Sequence, residues 1–592
     1  MPHIPVPQVP WQVTGNHWIA LPCVHPADGS LHAVGTISRT ARAAIEVAGS
    51  ADFLGGNGPP LIRPVVRING EVRELARHGL VWERAHDWLP TFTCTLENVV
   101  VRGTIFAPYG RDADIAGAIY ALAVENRGTA EARVTLSAEG TLGHRQVRVR
   151  TPRAAVDPHR VTLDGDVLLL EGTALPGFLA LALAADAAAR IEVGGASGTA
   201  FAIHRDLQVE PGGRATAAFY LAAGPERDGA RATAGAMRRR GWSELLTLTR
   251  EALQAMEQTV GQDGLDRLIN RNLLFAYFFG VARALDDAHF YLMRSRAPWH
   301  GRGVTARDWE LLAWIFPAVL LADPPLAREL LLRSCELHGY APGAGVNYFD
   351  GTLFEAGFSL EGACSYAVAV DRYVRETEDD HIVEEPAVAD ALYNSHDDIG
   401  SRRDEHGHLY STEITLDGQP APHAFTLHGN AVASMALEVL RRTLDEETAK
   451  AVADPDAVRA AILRHFTVMR DGKAVFASAI DLSGRAQADD SARASGLWLP
   501  LYEVVERHDS TYRRTVRGGG PPDRLVDQCA RLIGPDASDV LAWLRRAPLD
   551  NGLAAERVDA EGRAIENGGD AAVAGLLAWS VWYAVHALGV RT

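Results

Sequence analysis

The sequence predicts a multidomain α+β protein: an N-terminal antiparallel β-sandwich followed by a six-hairpin helical toroid, an (α/α)6 barrel. Two observations carry this. The chain has 592 residues, more than one compact core accommodates. Its hydrophobic period also changes near residue 225. Short alternating segments dominate before that point, and beyond residue 240 roughly a dozen segments show helical periodicity. The expected division is a sandwich over 1–225, a linker helix over 226–262 and the toroid over 263–592.

In the first part, VRGTIFAP (101–108), IAGAIYALAVEN (115–126), ARVTLSAEG (132–140), DVLLLEG (166–172) and RIEVGG (190–195) read as strands. DGS (28–30), GGNGPP (55–60), NRGT (126–129), LDGD (163–166) and PGGR (211–214) separate them as turns. Such spacing of short strands suggests a sandwich.

In the second part the helical segments include 242–260, 266–285, 307–322, 326–339, 359–377, 425–444, 454–470, 523–534 and 570–589. Two of them, around LLAWIFPAVLLA and AGLLAWSVWYAVHALG, are apolar on most sides. They suit the inner row of a closed ring of paired helices. Loops rich in Gly, Asp, Tyr, Trp and His would build its open end, where polar groups converge in a pocket.

Composition narrows the function. Lys and Arg total 58 against 75 Asp and Glu, a net charge of −17, which disfavours binding to a phosphate backbone. The five cysteines are widely spaced with no C-x-x-C, so they read as mostly buried thiols of a reducing compartment. The N-terminal stretch lacks the features of a secretory signal, and no apolar run is long enough to span a bilayer, so the expected location is cytoplasmic. There is no phosphate-binding loop, dinucleotide fingerprint or G-x-S-x-G elbow. No cofactor is implied.

Three segments resemble (α/α)6-barrel glycoside hydrolases of the debranching and glucosidase type. RSRAPWHGRGVTARDWELLAWIFPAVLLAD (294–323) is similar to their first inner-helix region, with an aromatic-rich loop, Arg-Asp and an aromatic helix. YFDGTLFEAGFSLEGACSYAVAVDRYVRETED (348–379) is similar to the next, in which an acidic residue opens a helix. LYSTEITLDGQPAPHAFTLHGNAVASMALEVL (409–440) is similar to the third, an Asp-Gly stretch before an E-x-N-A-L helix. A sandwich ahead of the ring is also the domain order of several such hydrolases and of related disaccharide phosphorylases. The sequence departs from the pattern at two positions: Glu361 stands where many relatives carry Asp, and His428 replaces the acid of E-x-N-A-L, with Asn430 retained. The resemblance implies that Asp308 lines the pocket and bonds sugar hydroxyls, with Arg307 holding it.

Cleaving an acetal needs one carboxylic acid to protonate the leaving oxygen and a second carboxylate to activate water or attack the sugar. Glu361, at the start of an inner-type helix, is the first candidate for the acid. Glu355 and Asp350, in the loop before it, compete. The base comes from later in the chain: Glu413 in YSTEIT, or Glu566 in AIENGGD, the late position from which several members of the class take theirs. Asp570 reads as an N-cap and Glu310 as structural.

Sugar rings pack their C–H faces on aromatic side chains. Trp299, Trp309, Tyr348, Tyr366, Tyr410, Trp498, Trp579 and Trp582 are possible platforms, with Trp299-His300 and Tyr348-Asp350 drawing attention as aromatics beside polar groups. His423 and His428 are candidate hydrogen-bond donors to substrate. The histidines, including His406 and His408, match no strong metal-ligand spacing, so no metal is expected.

The expected partner is a carbohydrate, with no nucleic acid and no membrane. The expected activity is an inverting, exo-acting glycoside hydrolase. A disaccharide phosphorylase on the same scaffold is the alternative, as is a polysaccharide lyase recasting Tyr410, His428 and Asn430.

Overall fold

The computed structural model describes residues 9–154, 159–172, 179–195, 198–404, 408–488, 491–517, 523–565 and 568–591. It divides into two compact units. The first runs to Glu257 and includes Val281–Phe290 and Arg296–Val304; the second comprises Gln258–Gly280, Tyr291–Ser295 and the chain from Thr305.

The first unit holds antiparallel sheets of six, eight and five strands. The five segments read as strands from their alternation are strands, at Val99–Phe106, Gly117–Asn126, Ala132–Thr141, Val167–Gly172 and Arg190–Gly194. Gly117–Asn126 sits mid-sheet and pairs antiparallel with Arg214–Gly224, Ala121 opposite Ala218. One apolar cluster draws on all three sheets, with Val34 and Ile45 from the first, Leu122 and Leu168 from the second, Leu136 and Ile203 from the third. Removal of these side chains from water is the main stabilising contribution.

The expected linker helix over 226–262 is two helices of this unit, α1 (Arg227–Arg240) and α2 (Trp242–Met256). Gly241 breaks them apart at φ 84°, a conformation that glycine adopts without strain. The helix expected over 266–285 likewise stops early, and Val281–Arg283 is a strand. Polar anchors hold that returning segment in the first unit. Asp286 accepts hydrogen bonds from the Arg39 and Thr40 N–H groups (2.9 and 2.8 Å) and the Ser38 hydroxyl (3.0 Å). Arg283 pairs with Asp114 at 3.0 Å. Further on, Arg296 donates to the carbonyls of Asn16 and His17.

The second unit is helical. In chain order it contains α3 (Asp263–Phe279), a π-helical turn (Glu310–Ile315) running into α4 (Phe316–Ala322), α5 (Pro324–His338), α6 (Leu360–Thr377), α7 (Pro386–Gly400) and α8 (Leu427–Thr443). Then come α9 (Pro455–His465), α10 (Ser491–Gly496), α11 (Ser510–Arg517), α12 (Leu525–Arg531), α13 (Ala537–Leu544) and α14 (Ala571–His586).

Two kinds of helix alternate. The π-helical turn with α4, and the greater part of α6, α8 and α14, are buried on all sides, whereas α5, α7 and α9 bury one face. The buried helices pack on one another, α14 on the π-helical turn and α6 on that turn and α8; α12 packs on α14 and α10 on α8. Each half-exposed helix packs on a neighbour of the other kind, α5 and α7 on α6, α9 on α8. Close approach has a sequence cause at Gly575. A Cβ there would lie 2.5 Å from the Trp314 carbonyl oxygen.

Among the described residues no helix is long and apolar enough to cross a membrane. All five cysteines are buried free thiols.

Candidate functional site

The site begins with an N-cap. Ser359 has extended backbone and its hydroxyl accepts the Gly362 N–H at 3.2 Å, which starts α6. Glu361 therefore falls in the first turn, near the positive end of the helix dipole. Its side chain is fully buried. Oε1 lies 3.1 Å from Nδ1 of His428, itself buried in the first turn of α8. Oε2 has no hydrogen-bond partner among the described residues.

His428 organises the surroundings. Its Nε2 lies 3.4 Å from the Tyr502 hydroxyl. Trp309, Trp498 and Tyr502 all meet its ring edge-on, with centroids 5.5, 6.3 and 5.6 Å away. The indole Nε1 atoms of Trp309 and Trp498 are buried and, among the described residues, unpartnered, as is Oγ1 of Thr426, the N-cap residue of α8. One carboxylate oxygen, two indole N–H donors and one hydroxyl, on residues that contact His428 or open its helix, thus lack partners among the described residues. Buried polar groups are seldom left so, and together they suit a ligand bearing several hydroxyl groups.

Asp308 and Arg307 approach from the segment before the π-helical turn. Both are buried. Asp308 Oδ2 accepts the Gly343 N–H at 2.9 Å. Burial pushes its carboxyl up to about 7, against the opposing pull of that N–H, the Tyr366 hydroxyl and the Arg307 guanidinium. Arg307 donates to the carbonyls of Thr415 and Leu416 at 2.6 and 2.7 Å, so it ties down the 412–421 loop. With Arg294 it also flanks the buried Glu310, at 3.3 and 2.5 Å.

Other candidates have different surroundings. Glu413 is more than half exposed; its carboxylate accepts the Phe358 N–H at 3.0 Å and Arg402 at 2.9 Å, and these hold its pKa below the usual range. Asn430 uses its amide wholly on the backbone, accepting from the Tyr410 N–H (2.7 Å) and donating to the Tyr410 and Thr426 carbonyls. It clamps a loop, and both of its N–H donors are used. Asp350 closes a local turn by accepting the Thr352 N–H. Glu355 is exposed on the Leu353–Ala356 strand, and Tyr348, half-buried, packs edge-on against Phe354. His423 is half-buried. Trp299 and His300 are buried in the first unit. Asp570 caps α14 by accepting the Ala572 and Val573 N–H groups. Glu566 and His406 lie outside the described residues.

Among the described residues no group of three His, Cys, Asp or Glu side chains is placed to hold a metal ion. Tyr502 is a site residue that the sequence reading passed over. The available signal was its spacing, four residues beyond Trp498 in a short aromatic-apolar stretch.

Solved structures define the class of fold first. No family model matches the chain, and no curated protein does. Two solved structures share its architecture over nearly its whole length. One is a bacterial glucoamylase complexed with acarbose: 11% identity, TM-score 0.62, covering 98% of this chain and 94% of the other. The second is described as a kojibiose phosphorylase from the human microbiome: 10% identity, TM-score 0.60, covering 98% and 87%. At such identity the likeness speaks to the fold alone.

Proposed function

We propose that this protein is a carbohydrate-active enzyme, a glycoside hydrolase that cleaves the glycosidic bond of an oligosaccharide or glycoside at Glu361. On this reading the second unit is an (α/α)6 ring, with α4, α6, α8, α10, α12 and α14 as its inner row, and the sheets of the first unit form a β-sandwich domain. The observation that carries the reading is the open Oε2 of a fully buried Glu361, whose Oε1 meets His428, with the unpartnered indoles of Trp309 and Trp498 packed against the same His428 ring.

Glu361 protonates the leaving oxygen from Oε2. A second carboxylate activates water, and inversion at the anomeric carbon is the outcome we assign. Glu413 and Glu566 are the carboxylates for that base. Glu413 is held ionised, as a base must be, although Phe358 and Arg402 compete for its oxygens. Asp308, buried and with its carboxyl near 7, holds a sugar hydroxyl in either protonation state. Trp309 and Trp498 pack on the ring of the sugar and donate to its oxygens.

The decisive experiment is a screen of glycosides, with and without phosphate, following reducing ends, sugar phosphates and unsaturated products. Hydrolysis without phosphate is expected, abolished in Glu361→Gln while substrate binding persists. Glu413→Gln and Glu566→Gln, made separately, identify the base. Undiminished turnover by Glu361→Gln would remove it from the acid role. Strict phosphate dependence would favour a phosphorylase, the second reading that the fold shared with the kojibiose-phosphorylase-type structure supports. The lyase reading loses ground, because Asn430 has no donor left for a uronate.

A further inference from the structure

Glu361, His428 and Tyr502 form a buried chain of two contacts: Glu361 Oε1 to His428 Nδ1 (3.1 Å) and His428 Nε2 to the Tyr502 hydroxyl (3.4 Å). All three side chains are buried, on separate segments of the second unit. The direction of the hydrogen bonds decides what Glu361 can do.

A neutral imidazole has one N–H and one lone pair. Burial pushes the Tyr502 phenol far up, so it carries its proton at any working pH. In one arrangement Tyr502 donates to Nε2 and the Nδ1–H donates to Oε1. The Tyr502 and His428 protons then both have acceptors, Oε1 is occupied, and Oε2 alone exchanges a proton with a substrate. In the reverse arrangement, Oε1 carries a proton donated to Nδ1, and Nε2–H donates to the Tyr502 oxygen. The phenolic proton then has no acceptor within the chain, and the acidic proton of Glu361 faces away from Oε2. With Glu361 protonated in both, the first leaves only the Oε2 proton unpartnered, where the reacting bond takes it, whereas the second strands the buried phenolic proton, and an unsatisfied buried donor is costly.

We propose that His428 is a positioning residue, held by Tyr502 as the neutral Nδ1–H tautomer, which locks the Glu361 carboxyl so that only Oε2 faces the reacting bond. The part concerning the reacting bond rests on the hydrolase reading; the tautomer does not. Trp309 and Trp498, edge-on to the same ring, restrict its rotation.

The full chain, labelled with 15N at histidine, gives the test. Imidazole nitrogen–proton correlation spectra distinguish the two tautomers, and loss of one set of signals in His428→Gln assigns His428. The expected spectrum has a protonated Nδ1 and an unprotonated Nε2. Tyr502→Phe removes the donor to Nε2 and Glu361→Gln replaces the carboxyl acceptor by an amide, and each should shift that pattern. A protonated Nε2 in the parent protein, or a His428 spectrum indifferent to both substitutions, would overturn the proposal.

Turnover supplies the second arm, on a glycoside identified by the screen. His428→Asn keeps an N–H near Oε1 and should retain more kcat than His428→Leu, whose kcat falls about a hundredfold with KM little changed. Equal losses in both variants, with folding confirmed by thermal unfolding, would count against positioning. The Nδ1–H tautomer without any glycoside turnover would sink the hydrolase reading and leave the tautomer standing.

Discussion

At the scale of single residues, Asp308 gives the plainest pH dependence. Burial lifts its carboxyl from 3.8 to about 7. Between these values the unfolded chain releases the proton while the folded chain keeps it. The folded state therefore binds more protons, and stability falls as pH rises through that window, levelling above the folded value. At about 1.4 kcal/mol per pKa unit the loss amounts to a few kcal/mol. Asp308→Asn retains an oxygen for the Gly343 N–H but cannot ionise. Urea unfolding at pH 4.5 and pH 7.5 should show a smaller difference in this variant than in the parent; an unchanged difference would mean that Asp308 ionises normally.

At the scale of elements, the close contact of α14 with the π-helical turn depends on a missing side chain. A Cβ on Gly575 would lie 2.5 Å from the Trp314 carbonyl oxygen and 3.0 Å from the Ile315 Cα, both backbone atoms that cannot swing aside. Gly575→Ala should cost roughly 1–3 kcal/mol despite alanine's better helix propensity. Gly400, at the end of α7, has open space at its Cβ position, so Gly400→Ala serves as the control and should be neutral or slightly stabilising. The comparison is read as Tm, and equal Tm values for the two variants would refute the packing argument.

At the scale of the whole molecule, the first unit is discontinuous in sequence. Val281–Phe290 supplies Asp286 to the Ser38–Thr40 turn, and Arg296–Val304 supplies Arg296 to the Asn16 and His17 carbonyls. A fragment ending at residue 257 lacks both. It leaves those backbone groups without their charged partners, each such bond contributing about 1.5–3 kcal/mol. The fragment should unfold over a broader range and bind more hydrophobic dye than the intact chain. A sharp, native-like transition would show that the returning segments are dispensable.

The change of period near residue 225, the five quoted strands and most of the long helices were legible in the sequence alone, because alternation and helical periodicity are set by residues near one another along the chain. Glu361 and His428 were legible as separate candidates for the same reason: each opens an apolar helix. Their contact was not. They are 67 residues apart, and Tyr502 lies a further 74 along. Only the packing of α6 against α8 brings the first two together. The same limit explains Asn430, expected at the substrate and occupied by the backbone of Tyr410, and the 281–304 stretch, whose return to the first unit depends on hydrogen bonds to residues more than two hundred positions earlier. Local pattern determined which segments are strands or helices and which polar residues open them. Tertiary structure decided which polar atoms find partners and which, as at Glu361 Oε2, stay open, because that depends on contacts between distant parts of the chain.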